Sequence, residues 1–224
     1  MNDKELVANA ALTYIKNNTI VGLGTGSTAN YFINALAKKI KLESLNILVV
    51  ASSTISQINA TNAGLNYISI DQIEEIDLYV DGADEITRDL VVLKGRGYDL
   101  IREKLLAQAS NEFIVIGDQS KLVNKIGEKF PIPIEISPVA WKITKTLIDK
   151  LSIECVLRKN ITGDAFAITS YGNFVLDCNF KYTDIEGLAK TLSQIPGVFD
   201  HGIFFKLASK ALIANNGEIK TLQV

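Results

Sequence analysis

Three short stretches carry residue types that could do chemistry. "YVDGADE", Tyr79 to Glu85, places Asp81, Asp84 and Glu85 directly after an apolar run. "GLGTGST", Gly22 to Thr28, is glycine-rich where a strand hands over to a helix. Glycines let the backbone approach a ligand closely, Ser27 or Thr28 can cap the helix, and the first amides of a helix favour a phosphate. The stretch is not a dinucleotide fingerprint, because Ser27 stands where a third glycine would close the motif and the next strand ends in "VVASS", without an acid for a ribose. A Walker loop is excluded as well, since no Gly-Lys-Ser/Thr follows. "LKGRGYDLIREK" adds Lys94 at a strand end, a Gly95-Arg96-Gly97 turn, and a helix bearing Arg102, Glu103 and Lys104.

Each stretch also has a plainer reading. The glycines can be a structural turn, and the acids can be a divalent-metal site, a hydroxyl-binding site, or an Asx turn with a solvated rim. Metal binding needs more oxygen ligands than "DGAD" itself guarantees. At about 100° per residue, Glu103 falls on the flank between Leu106 and Ala107, so partial burial with a raised pKa competes with an ordinary exposed glutamate. Taken together, the loops offer amides for phosphate, carboxylates for hydroxyls, and a lysine beside a glutamate. A phosphorylated polyol would use all of them.

The elements that must position these loops follow from hydrophobic periodicity. "DKELVANAALTYIKN" reads as a helix, "TIVGLG" as a strand, "STANYFINALAKKI" as a helix, "NILVVA" as a strand, "STISQINATNAG" as a helix closed by Gly64, and "DLYVDG" as a strand. This rhythm predicts an α/β fold with a doubly wound, mostly parallel, Rossmann-like sheet. A further strand "LVVLKG", a helix through "YDLIREKLLAQAS" and the strand "EFIVIGD" extend it. The composition changes at "KFPIPIEISPV", which holds Pro131, Pro133 and Pro138 and marks a boundary near residue 128. A helix from about Pro138 to Leu151, strands near "IECVLR", "AFAITS" and "NFVLDC", and a helix from Asp184 to Gln194 then suggest a smaller α+β domain. The expected division is 1–127 with 202–224 for the sheet domain and 128–201 for the smaller one. "HGIFF" and "ALIANNGEIKTL" are expected to return to the first sheet, the latter around an Asn216-Gly217 hairpin signal.

The 224 residues carry 23 Lys and Arg against 25 Asp and Glu, without a basic run, so nucleic acid and acidic membrane surfaces are not expected partners. The N-terminal stretch has acids where a secretory signal carries positive charge, and no apolar run is long enough to span a bilayer, which predicts a cytoplasmic protein. Cys155 and Cys178 read as two small buried thiols rather than a zinc site or disulfide scaffold. The single histidine, His201, reads as a loop or strand-edge residue.

The ordered set "GLGTGSTA", Ser52-Ser53, "YVDGADEI", "LKGRGYDLIREK", "DQSKLV", "FPIPIEI", "GNFVLDC" and "IPGV" resembles the type A ribose-5-phosphate isomerases over nearly the whole chain. The resemblance implies interconversion of D-ribose 5-phosphate and D-ribulose 5-phosphate in the non-oxidative pentose phosphate pathway, with no metal or organic cofactor, in a homo-oligomer with a dimer favoured. By motif position it implies that Thr25, Gly26, Ser27 and Thr28 form one substrate loop. Asp81, Gly82, Ala83 and Asp84 form a second, and Lys94, Gly95, Arg96 and Gly97 a third. Lys121 is a further substrate contact and Glu103 the proton acceptor, with Lys94, Asp81 and Asp84 assisting. Arg96 departs from the all-glycine third loop of the family; flanking glycines favour an outward side chain, while an inward one would add a cation. A non-catalytic sugar-phosphate sensor and a related deaminase or lactonase are the alternatives.

Overall fold

The protein is described here from a computed structural model covering residues 2–223, so the expected domain limits at Met1 and Val224 lie outside the described residues. The chain opens with α1 (Asp3–Ala11), whose N-cap Asn2 accepts a hydrogen bond from the Glu5 amide. The strand–helix alternation follows: β1 (Thr19–Leu23), α2 (Ser27–Glu43), β2 (Ile47–Ala51), α3 (Thr54–Asn62), β3 (Asn66–Tyr67) and β4 (Ile76–Asp81). Helix α2 shows why the pattern folds this way. It buries Ala29, Phe32, Ile33 and Leu36, one face at helical spacing, and stops at Ser44 in the left-handed region. Removing the fully buried Phe32 ring would cost about 3–5 kcal/mol.

After β4 come the short strands β5 (Glu85–Ile86) and β6 (Val92–Leu93), then α4 (Leu100–Ala109) and β7 (Ser110–Asp118). The next group is β8 (Ile132–Ile136), α5 (Trp141–Asp149), β9 (Ser152–Leu157), β10 (Phe174–Phe180), α6 (Ile185–Ser193) and β11 (Val198–His201). The chain closes with β12 (Ile203–Phe204), β13 (Lys210–Asn215) and β14 (Glu218–Gln223). The main sheet has the order β14-β13-β7-β4-β1-β2-β3 and is parallel except for the β13–β14 hairpin. From β1 the chain winds outward through β2 and β3, then returns to build β4, β7 and β13 on the other side. The switch point therefore falls between β1 and β4, where open α/β sheets bind ligands. One apolar cluster packs α1 and α2 on one face, and a second packs Tyr79, Leu106 and Phe113 on the other.

A separate antiparallel sheet, β11-β8-β10-β9, carries α5 and α6 and has its own core around Ile134, Ile136, Leu176 and Leu192. Four expectations need correction. "LVVLKG" does not join the parallel sheet: β6 sits between β5 and β12 in a small antiparallel sheet of its own. The run is buried, so its apolarity marks burial without saying in which sheet. "HGIFF" accordingly splits, with His201 ending β11 and Ile203–Phe204 pairing β6. "AFAITS" forms isolated bridges and no strand. Cys155 and Cys178, read as separate thiols, are register partners in β9 and β10 and are joined as a disulfide. The Asn216-Gly217 turn is found as expected, both residues having positive φ. Among the described residues, no helix is long and apolar enough to cross a membrane.

Candidate active site

The carboxyl ends of β1, β4 and β7 and the loop after β6 enclose a cleft of about 460 Å³. Thr25, Gly26, Ser27 and Thr28 form one wall, Gly82, Ala83 and Asp84 a second, and Lys94, Gly95, Arg96 and Gly97 a third, with Glu103 and Lys121 completing it. Asp81 is the expected residue that does not reach the cleft surface.

The first wall is shaped by two glycines. A Cβ on Gly24 would lie 2.0 Å from the Asp81 carboxylate, so only glycine lets that acid pack beneath the loop. Gly26, the N-cap of α2, has φ +104°, a conformation that side chains disfavour, and α2 has no side-chain cap. Its first amides are thus left for a ligand. The Thr25 hydroxyl is occupied elsewhere, within hydrogen-bond distance of Ser52, Ser53 and Ser56, and its amide is engaged by Asp81.

Beneath the cleft lies a buried charge cluster. Asp81 accepts hydrogen bonds from the Thr25 amide at 3.0 Å, the Gly82 amide at 2.6 Å and the Tyr79 hydroxyl. Its second oxygen is also 2.8 Å from Lys94 Nζ. With every acceptor site engaged and no exposed surface, Asp81 is an anchor for Lys94 rather than a wall of the cleft. Lys94 Nζ further donates to the Gly82 carbonyl at 3.0 Å and lies 3.4 Å from Glu103 Oε1. Burial alone would pull the ammonium's pKa down; Asp81, then Glu103, outweigh it and raise it, so Lys94 remains charged.

Glu103 is in the first turn of α4, 7% exposed, and its Oε2 is buried without a hydrogen-bond partner. Burial pushes its carboxyl up to about 8, against the pull of Lys94 and with the help of Asp81 and Asp84. Half-buried Asp84 is also raised by burial, opposed by Lys94 and Arg96, and it accepts the Arg96 amide at 3.3 Å. A carboxylate with a raised pKa and a free oxygen, beside a fixed ammonium, can take a proton from carbon while the cation stabilises the resulting oxyanion.

Arg96 lines the cleft and adds a cation near Asp84, while its side chain is exposed and its guanidinium stacks 3.9 Å from the Phe130 ring. Glu85 is fully buried and accepts the amides of Gly127, Lys129 and Phe130, so it holds the segment that supports that ring. Two residues were not anticipated. Tyr79 bonds Asp81, and its position two residues earlier in one strand was the available signal, since such residues share a face. Lys4 lines the cleft from α1 and donates to Ser27 Oγ at 2.7 Å, a contact between separate elements that spacing does not reveal.

His201 is not a triad base. It is buried, and its Nδ1 faces the Ile203 amide at 3.2 Å and Lys104 Nζ at 3.3 Å, both donors. Nε2 must then carry the hydrogen and donate to the Ala189 carbonyl at 3.0 Å, leaving no lone pair for Ser193. Burial and Lys104 lower its pKa to about 3.

The sequence model for ribose 5-phosphate isomerase A (phosphoriboisomerase A) matches residues 48–218. The chain is 38% identical over 225 residues to ribose-5-phosphate isomerase A of Listeria monocytogenes, covering 100% of this chain and 99% of that protein. The solved structure of ribose 5-phosphate isomerase A from Methanocaldococcus jannaschii superposes with a TM-score of 0.93 at 35% identity, over 99% of this chain and 98% of that one. A D-ribose-5-phosphate isomerase in complex with phospho-erythronic acid superposes with a TM-score of 0.95 at 35% identity, over the whole of both chains.

Proposed function

The chain belongs to the ribose 5-phosphate isomerase A family, and from that premise we propose how its cleft interconverts D-ribose 5-phosphate and D-ribulose 5-phosphate. The observation that carries the reading is the free, buried Oε2 of Glu103 beside Lys94. Glu103 removes the proton from carbon 2 of the open-chain aldose, leaving a planar enediolate, and returns it to carbon 1. Lys94, fixed by Asp81, stabilises the charge that develops on the substrate oxygen, which is stronger in the transition state than in the ground state. Asp84 binds hydroxyls and assists opening of the furanose ring. The amides at the start of α2, with Ser27, Thr28, Lys4 and Lys121, hold the phosphate.

The protein acts in the non-oxidative pentose phosphate pathway, in the cytoplasm. Its partner is a small sugar phosphate, with neither nucleic acid nor membrane involved. Residues 128–201 form the smaller domain. A homodimer is supported by the apolar exposure of this part: Ile153 is 72% and Ile161 94% exposed. A coupled assay for ribulose 5-phosphate, run beside amino-sugar phosphates and with light scattering for mass, tests the reading. Release of ammonia, or no turnover of ribose 5-phosphate, would refute it.

A further inference from the structure

We infer that Arg158, oriented by Asp177, is a positioning residue for the isomerisation, holding the loop after Lys94 and, through one peptide group, the carboxylate of Asp84. The inference rests on the isomerase reading of the cleft. Neither residue lines the cleft, so neither touches substrate.

Arg158 directly follows β9, and its side chain is 11% exposed. Its Nε donates to Asp177 Oδ2 at 2.8 Å and its Nη2 to Oδ1 at 2.5 Å, a fork on a fork that fixes the guanidinium plane. Nη1 then donates to two carbonyls of the third loop, Gly95 at 2.8 Å and Gly97 at 2.9 Å. A trans peptide points its C=O and N–H in opposite directions, and no peptide among the described residues is cis. Drawing the Gly95 carbonyl toward Arg158 therefore turns the Arg96 amide the other way, where it meets Asp84 Oδ2 at 3.3 Å. The peptide is gripped from both sides. One side is an ion pair in the four-stranded sheet, and the other is an acid of the cleft.

The same sheet's connections continue the grip toward the base. Ser170 donates its amide to the Tyr98 carbonyl at 3.1 Å and its hydroxyl to Asp99 Oδ1 at 2.6 Å. Asp99 is the N-cap of α4, and its carbonyl accepts the Glu103 amide at 2.9 Å. Lysine could not replace Arg158, because an ammonium has no plane to hold a bidentate carboxylate and two carbonyls at once.

The test compares the unsubstituted protein with Arg158→Lys, Arg158→Ala and Asp177→Asn. It measures kcat and KM for ribose 5-phosphate, calorimetric binding of phospho-erythronic acid, and thermal melting. Expected for Arg158→Lys is a fall in kcat of roughly 10- to 100-fold with a smaller change in KM, as for a small misplacement of reacting groups. Analogue binding should persist, and guanidinium ion should restore part of the Arg158→Ala turnover where ammonium does not. A kcat for Arg158→Lys within about twofold of the unsubstituted value would overturn the inference. So would a change confined to KM, or unfolding of all three variants, which would make the pair a fold determinant only. Absence of turnover in the unsubstituted protein would instead overturn the isomerase reading, and this inference with it.

Discussion

Replacing Glu103 by Gln keeps the side chain's size and removes its charge, which separates two consequences of one buried carboxylate. A positioned base contributes roughly 10²- to 10⁴-fold, so kcat should fall by that factor while KM, set largely at the phosphate end, changes little. The stability effect has the opposite sign. The folded-state pKa is raised from 4.5 to about 8, so the native protein keeps a proton that the unfolded chain has released. Stability therefore declines as pH rises between those values, and the cost is complete above the folded pKa. At 1.36 kcal/mol per unit the ceiling is on the order of 5 kcal/mol. Because the Lys94 ammonium offsets part of the burial cost and a glutamine at this position would no longer balance it, a gain of about 1–3 kcal/mol is expected for Glu103→Gln at about pH 9, shrinking toward pH 5. In a chain of this size that is a rise in Tm of roughly 2–12 °C. Thermal melts at these pH values, with the ribulose 5-phosphate assay, measure both effects. A kcat within about tenfold of the unsubstituted value, or a stability gap no larger at high pH than at low, would refute the reasoning. In the unsubstituted protein, kcat/KM should rise through an apparent pKa above the ordinary glutamate range.

Lys94→Gln should lower kcat by roughly 10²- to 10³-fold with analogue binding retained in calorimetry. Lys94→Ala strands Asp81 beside Tyr79 and should also destabilise by about 3–5 kcal/mol in urea titration. Gly24→Ala drives a methyl into the Asp81 carboxylate and should abolish turnover even where circular dichroism shows a folded chain. Thorough chelation should leave turnover unchanged in the coupled assay, because Lys94 supplies the positive charge that a Lewis acid would otherwise provide.

Much of the site was legible because its residues cluster in three short stretches at element ends. Glycine turns, acids after a strand, a lysine at a strand end and a glutamate in the following helix all leave local marks. What was not legible depends on contacts between distant segments. Asp81 looks the same in sequence whether it faces solvent or lies under Gly24 and Lys94. Lys4 and Arg158 reach the site from other elements, so no spacing rule points to them. The run before Lys94 marked a buried strand correctly, but apolarity does not name the neighbouring strands, and β5 and β12 rather than the parallel sheet are its partners. His201 was legible as a loop or strand-edge residue, and it lies on the edge strand β11, while its tautomer needed the Ile203 amide opposite it.

The pairing of β6 with β12 also bears on when the enzyme becomes active as it folds. Asp81 and Gly82 hold the Lys94 ammonium, but the backbone that carries it is placed by chain far downstream: the Lys94 amide donates to the Gly202 carbonyl, and its loop is gripped by Arg158. The phosphate loop, by contrast, is built from β1, α2 and their near neighbours. Closing long loops is entropically costly and slow, so the anion-binding half should form early and the proton-transfer half late. On the ribosome the protein would be able to hold a sugar phosphate before it can convert one, and competence would arrive only with the last strands of the chain.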